Sequence, residues 1–200
     1  MTSPKSKSHM EQIVLARPKK KIPSSKTLDM KPTLRDKDES WGRTTALVDG
    51  PNTRISARRA KLSVCPTLML KYIRQRSHRI VGSFYYFQSK ISPKYIEFRI
   101  AKKWQESSWH ILRKEYDIDQ FLMAMMRRMA PISDTIIILS GDSDYQAHRE
   151  VYHHELGKRI IFAGFAHNTA DSIRQEGEWI NLEKIGVCKP STKENQRFPS

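Results

Sequence analysis

Asp134-Thr-Ile-Ile-Ile-Leu-Ser-Gly-Asp-Ser-Asp-Tyr145 is the stretch on which the fold turns. Thr135 to Leu139 is short, almost wholly apolar and β-branched, the pattern of a strand buried on both faces of a parallel sheet. Ser140, Gly141, Asp142, Ser143 and Asp144 follow, and a helical pattern begins at once. Two carboxylates at the carboxyl end of a central strand stand where open α/β sheets bind their ligands. Gly141 is expected to permit a tight turn there. Folding alone does not require Asp-x-Asp at this place, because like charges held close repel unless a cation lies between them.

Working outward, Thr45 to Val48 reads as a second buried strand, with Asp49 at its carboxyl end before Gly50-Pro-Asn52. Further strands are predicted over Arg79–Phe87, Ser108–Tyr116 and Arg159–Phe165, with an edge strand over Trp179–Ile185. Helices are predicted over Val64–Arg76, from Ser92-Pro93 (apolar stripe Ile96, Ile100, Trp104), and after the Asp142-Ser-Asp144 turn through about Leu156 with Gly157 as its cap. The clearest helix starts at Ile118, with Ile118, Phe121, Leu122, Met125 and Met129 as its apolar face. Asp117 and Gln120 have the spacing of a capping pair. Strands alternating with helices across short connections predict an α/β three-layer sandwich around a central, mainly parallel sheet.

The chain has 200 residues and a formal net charge of +15, with a pI near 9.9. Such basicity points to a polyanionic partner, nucleic acid being the commonest. Apolar runs are too short to span a bilayer, so no membrane is expected. Lys5 and Lys7 precede no apolar core, which does not read as a secretory signal. Cys65 and Cys188 fit no Cys-x-x-Cys spacing and read as reduced thiols of a cytoplasmic protein, or a nuclear one in a eukaryote. Residues 1–43 are rich in Ser, Pro and Lys and carry Arg17-Pro-Lys-Lys-Lys21, the composition of a disordered basic tail. The globular part is expected over 44–185, and 186–200 reads as a polar tail.

Asp49, Asp117 or Asp119, and the pair Asp142 and Asp144 would each come to one edge of the sheet, with Asn52 adding a neutral oxygen and Ser140 a hydroxyl. Oxygen ligands suit Mg²⁺ or Mn²⁺ better than zinc. An acidic pocket of this kind in a basic surround points to phosphodiester hydrolysis. Arg54, Arg58, Arg59 and Lys61 follow the first acidic turn, and Lys102-Lys103 form a second basic group; both are candidates for gripping the phosphate backbone of a polyanionic substrate. His148, Glu150, His153 and His154 lack the further ligands a zinc site needs.

Leu47-Val-Asp-Gly-Pro-Asn52, Phe84-Tyr-Tyr86, Lys114-Glu-Tyr-Asp117, Ile136 through Tyr145, and Leu156 through Gly164 resemble the NYN domain family in order and spacing. That is a PIN-like, flap-nuclease-related group of metal-dependent ribonucleases, and the resemblance runs from Thr44 to Leu182. It implies catalytic and metal-ligating roles for Asp49, Asp142 and Asp144, with Asn52 and Ser140 in support, and an RNA substrate cut internally. For the middle acid the Lys-to-Asp interval selects Asp117, with Glu115 where the family has Gly, and Asp119 close enough to replace or join it. Met123 and Met125 stand where many members carry a further aspartate. The family's closing pattern is altered to Thr169 and Glu178-Trp-Ile180.

Two other readings fit the same residues. One is an RNA-binding module of this fold with weak or lost catalysis, acting in a larger ribonucleoprotein assembly or as a homodimer. The other is a nucleotide-sugar transferase using Asp142-Ser-Asp144, against which the basicity and the Asp49 turn both speak.

Overall fold

Thr135–Leu139 forms the strand its composition predicts, and every one of its residues is buried. The computed structural model describes residues 40–88, 95–114, 118–176 and 178–191. In chain order the elements are β1 (Arg43–Asp49), α1 (Gly50–Arg59), β2 (Leu62–Val64), α2 (Pro66–Arg76), β3 (Arg79–Gln88), α3 (Tyr95–Glu106), β4 (His110–Lys114) and α4 (Ile118–Met129). Then follow β5 (Thr135–Leu139), α5 (Gln146–Glu150), β6 (Arg159–Gly164), α6 (Asp171–Glu176), β7 (Glu178–Asn181) and β8 (Cys188–Pro190). Six strands form one parallel sheet in the order β4-β3-β1-β5-β6-β7, and β2 pairs antiparallel with β8 apart from it.

Alternation along the strands divides the core in two, as a sheet covered on both faces requires. Ala46, Val48, Ile137 and Leu139 face one layer with Ala57 of α1, Met69 and Ile73 of α2, and Trp104 of α3. Leu47, Ile136 and Ile138 face the other with Leu122 and Met126 of α4 and Ile173 of α6. From β1 the chain moves outward through β3 and β4, then returns to the other side of β1 for β5, β6 and β7. The direction of winding therefore reverses between β1 and β5. Above such a switch point the connections diverge and leave a crevice at the carboxyl ends of the strands.

Several boundaries differ from the sequence expectation. Trp41 is buried among Tyr72 and Arg76 and Arg43 opens β1, so order begins within the stretch read as tail; residues 1–39 lie outside the described residues. Val187 is buried and β8 pairs with β2, so the stretch from 186 folds back as far as 191. On α4 the buried stripe is Ile118, Leu122, Met126 and Met129, whereas Phe121 is exposed. The fourth-residue spacing prevails because one narrow stripe suffices against a sheet. The helix after Asp142 starts as a 3-10 turn and ends as a π-helical turn over Val151–Glu155. The Ser92-Pro93 start predicted for α3 lies outside the described residues. No described helix is long and apolar enough to cross a membrane.

At the amino-terminal edge, remote from the crevice, Arg43 clasps Asp134. Its backbone N–H and Nε both donate to Oδ2 (2.8 and 3.1 Å), and Nη2 donates to Oδ1 (2.8 Å). The Arg43 hydrogen bonds hold the Asp134 carboxyl down to about 2. A depressed carboxyl contributes stability above its unfolded pKa and loses it as pH falls through the folded value. Asp134→Asn is therefore expected to lower the urea midpoint slightly at neutral pH, the ion pair being half-exposed. The difference from the parent protein should shrink as pH falls from about 4 toward 2, which urea titrations across that range would measure.

Candidate active site

Val48 pairs with Leu139 in register, so Asp49 and Ser140 leave the sheet side by side at the switch point. Asp49 is the N-cap of α1, its Oδ1 accepting the Asn52 N–H at 3.0 Å. Its other oxygen accepts hydrogen bonds from Ser140 Oγ at 3.3 Å and the Tyr145 hydroxyl at 3.4 Å. Capping explains an oxygen acceptor at this place, but not why the carboxylate is only 5% exposed. Burial pushes the Asp49 carboxyl up to about 6, and the nearby Asp119 charge adds to the rise against the pull of the hydrogen bonds.

The β5 loop is held from both sides. Asn52 Oδ1 accepts the Gly141 N–H at 3.2 Å, and the Asp142 N–H donates to Ser140 Oγ at 3.2 Å. Thr53 of α1 donates its hydroxyl to the Leu139 carbonyl at 2.9 Å. Asp142 caps the 3-10 turn, accepting the Asp144 N–H at 3.1 Å. From the far side the Ala170 N–H donates to the Gly141 carbonyl at 3.1 Å. Asn168 joins this loop to α1: its Nδ2 donates to Ser56 Oγ at 2.7 Å, and its Oδ1 accepts from Arg59 Nη1 at 3.0 Å.

Asp119, on the first turn of α4, meets the others through Tyr145, whose buried hydroxyl hydrogen-bonds its Oδ1. Burial raises the Tyr145 phenol far above its ordinary value, and the Asp49, Asp119 and Asp142 charges push it further. The hydroxyl thus stays protonated, a donor set among acids.

Of the residues singled out in the sequence, Asp49, Asn52, Ser140, Asp142 and Asp119 come together at this edge, and Asp144 is exposed beside them. Asp117 lies outside the described residues, as do the side chains of His148 and Glu150. Arg58, Arg59 and Lys61 are exposed at the end of α1 and the turn after it, and Arg54 is half-buried along the helix. Lys102 and Lys103 are exposed on α3, over the β3–β4 flank, where Lys102 faces Glu106 at 3.9 Å. No described contact joins that pair to the acidic edge. Tyr145 and Asn168 were not anticipated. A signal for Tyr145 existed: it stands three residues after Asp142, and positions i and i+3 eclipse in a 3-10 turn.

Among the described residues, no three His, Cys, Asp or Glu side chains are gathered closely enough to hold a metal ion as they stand. The chemistry of the set nonetheless fits a hard divalent cation. Every donor is oxygen, two carboxylates share one hydroxyl, and among the described residues the partners of the buried Asp49 are a backbone N–H and two hydroxyls.

No curated protein matches the chain. The structure is similar to the crystal structure of a protein of unknown function from Vibrio parahaemolyticus, with a TM-score of 0.63 and 18% identity over 74% of this chain and 96% of that one. At that identity the likeness concerns the fold. The NYN domain model matches residues 43–183, the whole span from β1 past β7 that carries the acidic edge. NYN domains are PIN-like nuclease domains that act on nucleic acid and usually use divalent metal ions. By that match the chain belongs to the NYN domain family.

Proposed function

We propose that this chain is an endoribonuclease that hydrolyses RNA phosphodiester bonds with Mg²⁺ or Mn²⁺. The observation that carries the reading is the meeting of Asp49 and Asp119 at the Tyr145 hydroxyl at the switch point, next to the β5 turn that carries Asp142, beside a helix that presents Arg58 and Arg59 to solvent. In this reading Asp49, Asp119 and Asp142 hold the cation, with Asp144 and Asp117 as its neighbours. The bound ion would activate a water and offset charge developing on the phosphate.

The chain's own groups do the rest. Ser140 and Tyr145 donate to the carboxylates and fix their oxygens. Asn52 ties α1 to the β5 loop, so that Asp49 and Asp142 keep their spacing. Arg54, Arg58, Arg59 and Lys61 hold the phosphate backbone near an edge whose acids would otherwise repel it. The reading without catalysis, an RNA-binding module, draws on the absence of a ready three-ligand cluster among the described residues.

The test is cleavage of an end-labelled, mixed-structure RNA and of a circular RNA, with Mn²⁺, with EDTA and with Asp142→Asn protein. The expected result is Mn²⁺-dependent opening of the circle that EDTA and the substitution both abolish, while RNA affinity survives. RNA binding with no cleavage under any condition would transfer the assignment to the binding module. Cleavage by Asp142→Asn at the parent rate would remove the site from the reaction.

A further inference from the structure

The amino-terminal edge of the sheet, opposite the acidic crevice, is basic. Arg43 and Arg79 open β1 and β3 as register partners, which sets their Cα atoms about 5 Å apart. Helices α2 and α4 both end at this edge, packed on opposite faces of the sheet. Their last turns bring Arg74 and Arg76 to one side and Arg127 and Arg128 to the other. The Trp41 N–H donates to the Arg76 carbonyl at 2.7 Å, and the His78 N–H to the Gly42 carbonyl at 2.9 Å. Those two bonds seat the end of α2 against the start of β1.

The described acids of this edge each face a cation already. Asp134 takes Arg43, Glu178 takes Arg159 at 2.7 Å, and Glu106 at the end of α3 faces Lys102. Among the described residues Arg74, Arg76, Arg79 and Arg128 meet no carboxylate, and Arg127 bonds the Tyr152 hydroxyl. All five are exposed. Cations in the last turn of a helix offset its dipole, which accounts for part of the set. It does not account for Arg79, which starts a strand beside another arginine. Nor does it account for the setting of Arg76, whose guanidinium carbon lies 3.8 Å from the centre of the Tyr72 ring and 5.9 Å from that of Trp41. Stacking uses the flat face of the guanidinium and holds its N–H edge in one orientation. A fork of donors held that way matches the oxygens of a phosphate.

We propose that this edge is a second RNA-binding surface, on which Arg76 and Arg79, flanked by Arg74, Arg127 and Arg128, hold backbone phosphates of the RNA far from the acids. The choice of RNA rests on the ribonuclease reading; the fit to a chain of phosphates does not. β5 has five residues and β1 seven, so at about 3.3 Å per residue the two edges stand roughly 20 Å apart. One phosphate cannot serve both. A long RNA engages both edges and gains affinity from the second, whereas a short one cannot.

The experiment is fluorescence anisotropy of full-length protein with a labelled, long single-stranded RNA in EDTA across a range of KCl, with folding followed by circular dichroism. The variant is Arg76→Gln with Arg79→Gln. Its affinity should fall by about tenfold. Each lost contact to a single strand should also flatten the dependence of log affinity on log salt by about 0.7. With Mn²⁺, KM for the long RNA should rise while kcat stays at the parent value.

A variant that keeps the parent affinity and salt dependence overturns the proposal and leaves the nuclease reading in place. A variant that loses kcat at unchanged affinity overturns it as well, since the arginines would then act in the reaction. Parent protein that binds RNA through these arginines but never cuts it upholds the proposal while the nuclease reading fails. Parent protein that binds no RNA at any salt ends both. Phosphatidylserine vesicles bound through the same arginines, with RNA affinity unchanged in the variant, would give the surface to a membrane and refute the proposal. Should the variant not fold, Arg79→Gln with Arg128→Gln, which removes no ring contact, decides by the same readings.

Discussion

Asparagine in place of Asp49 is expected to make the cation-free protein more stable at neutral pH and, on the nuclease reading, to abolish its cleavage of RNA. The carboxyl is pushed up to about 6 from an ordinary 3.8, chiefly by burial. The sign follows from proton counting. Below about pH 4 the group is protonated in both folded and unfolded chains and contributes no difference. Between the two values the folded chain keeps a proton that the unfolded chain has released, so stability falls as pH rises. Above about 6 the whole penalty is present, with a ceiling of about 3 kcal/mol for a rise of roughly two units. Asparagine retains an oxygen for the Asn52 N–H, and the Ser140 hydroxyl can rotate to accept from its amide. A gain of about 1–2 kcal/mol at neutral pH is therefore expected. Urea unfolding in EDTA at about pH 4 and about pH 7.5 measures it. A parent protein that matches Asp49→Asn at both would show that burial of this carboxylate carries no penalty.

The same residue shows how far the sequence can be read. That Asp49 and the Asp142 turn come to one edge of the sheet followed from two apolar runs, each broken by acid and a turn former; that their strands, β1 and β5, are neighbours came only with the sheet order. Buried strands reveal themselves because both faces must be apolar. Asp49 has a structural role as well, since it caps α1. What the sequence withheld was depth. Nothing local to Asp49 says that Tyr145, ninety-six positions away, closes over it. The Ser56–Asn168–Arg59 connection was equally hidden, because Ser56 and Arg59 ride on α1 while Asn168 lies more than a hundred positions later, and each is of a common surface type. On α4 periodicity was ambiguous between two overlapping stripes, and Phe121 fell on the wrong side. The β2–β8 ribbon was too short and too polar to register as strand.

Alanine at Gly141 is expected to do the opposite of asparagine at Asp49, lowering both stability and cleavage. The sequence suggested a glycine needed for the conformation of a turn, but Gly141 is not among the positive-φ glycines, Gly42, Gly157 and Gly186. Its constraint is proximity. A Cβ there would lie 2.2 Å from the Asn168 carbonyl oxygen and 2.9 Å from the Asn168 carbonyl carbon and Thr169 Cα. All three are backbone atoms, which cannot step aside as a side chain can. The methyl would part the β5 loop from the loop before α6, strain the Ala170–Gly141 hydrogen bond and pull Asn168 from Ser56 and Arg59. Overpacking of this kind costs about 1–3 kcal/mol, and Asp142 moves with its neighbour. Gly157→Ala is the matched contrast: it has φ of +62° and nothing within 4 Å, so its cost is conformational alone, about 1 kcal/mol. Stability of both variants, with cleavage measured where each remains folded, separates the two causes. Gly157→Ala should cut RNA at the parent rate, and Gly141→Ala should not. A Gly141→Ala protein as stable and active as the parent would mean that the two loops can separate freely, and that the approach of Asn168 does not hold Asp142 in place.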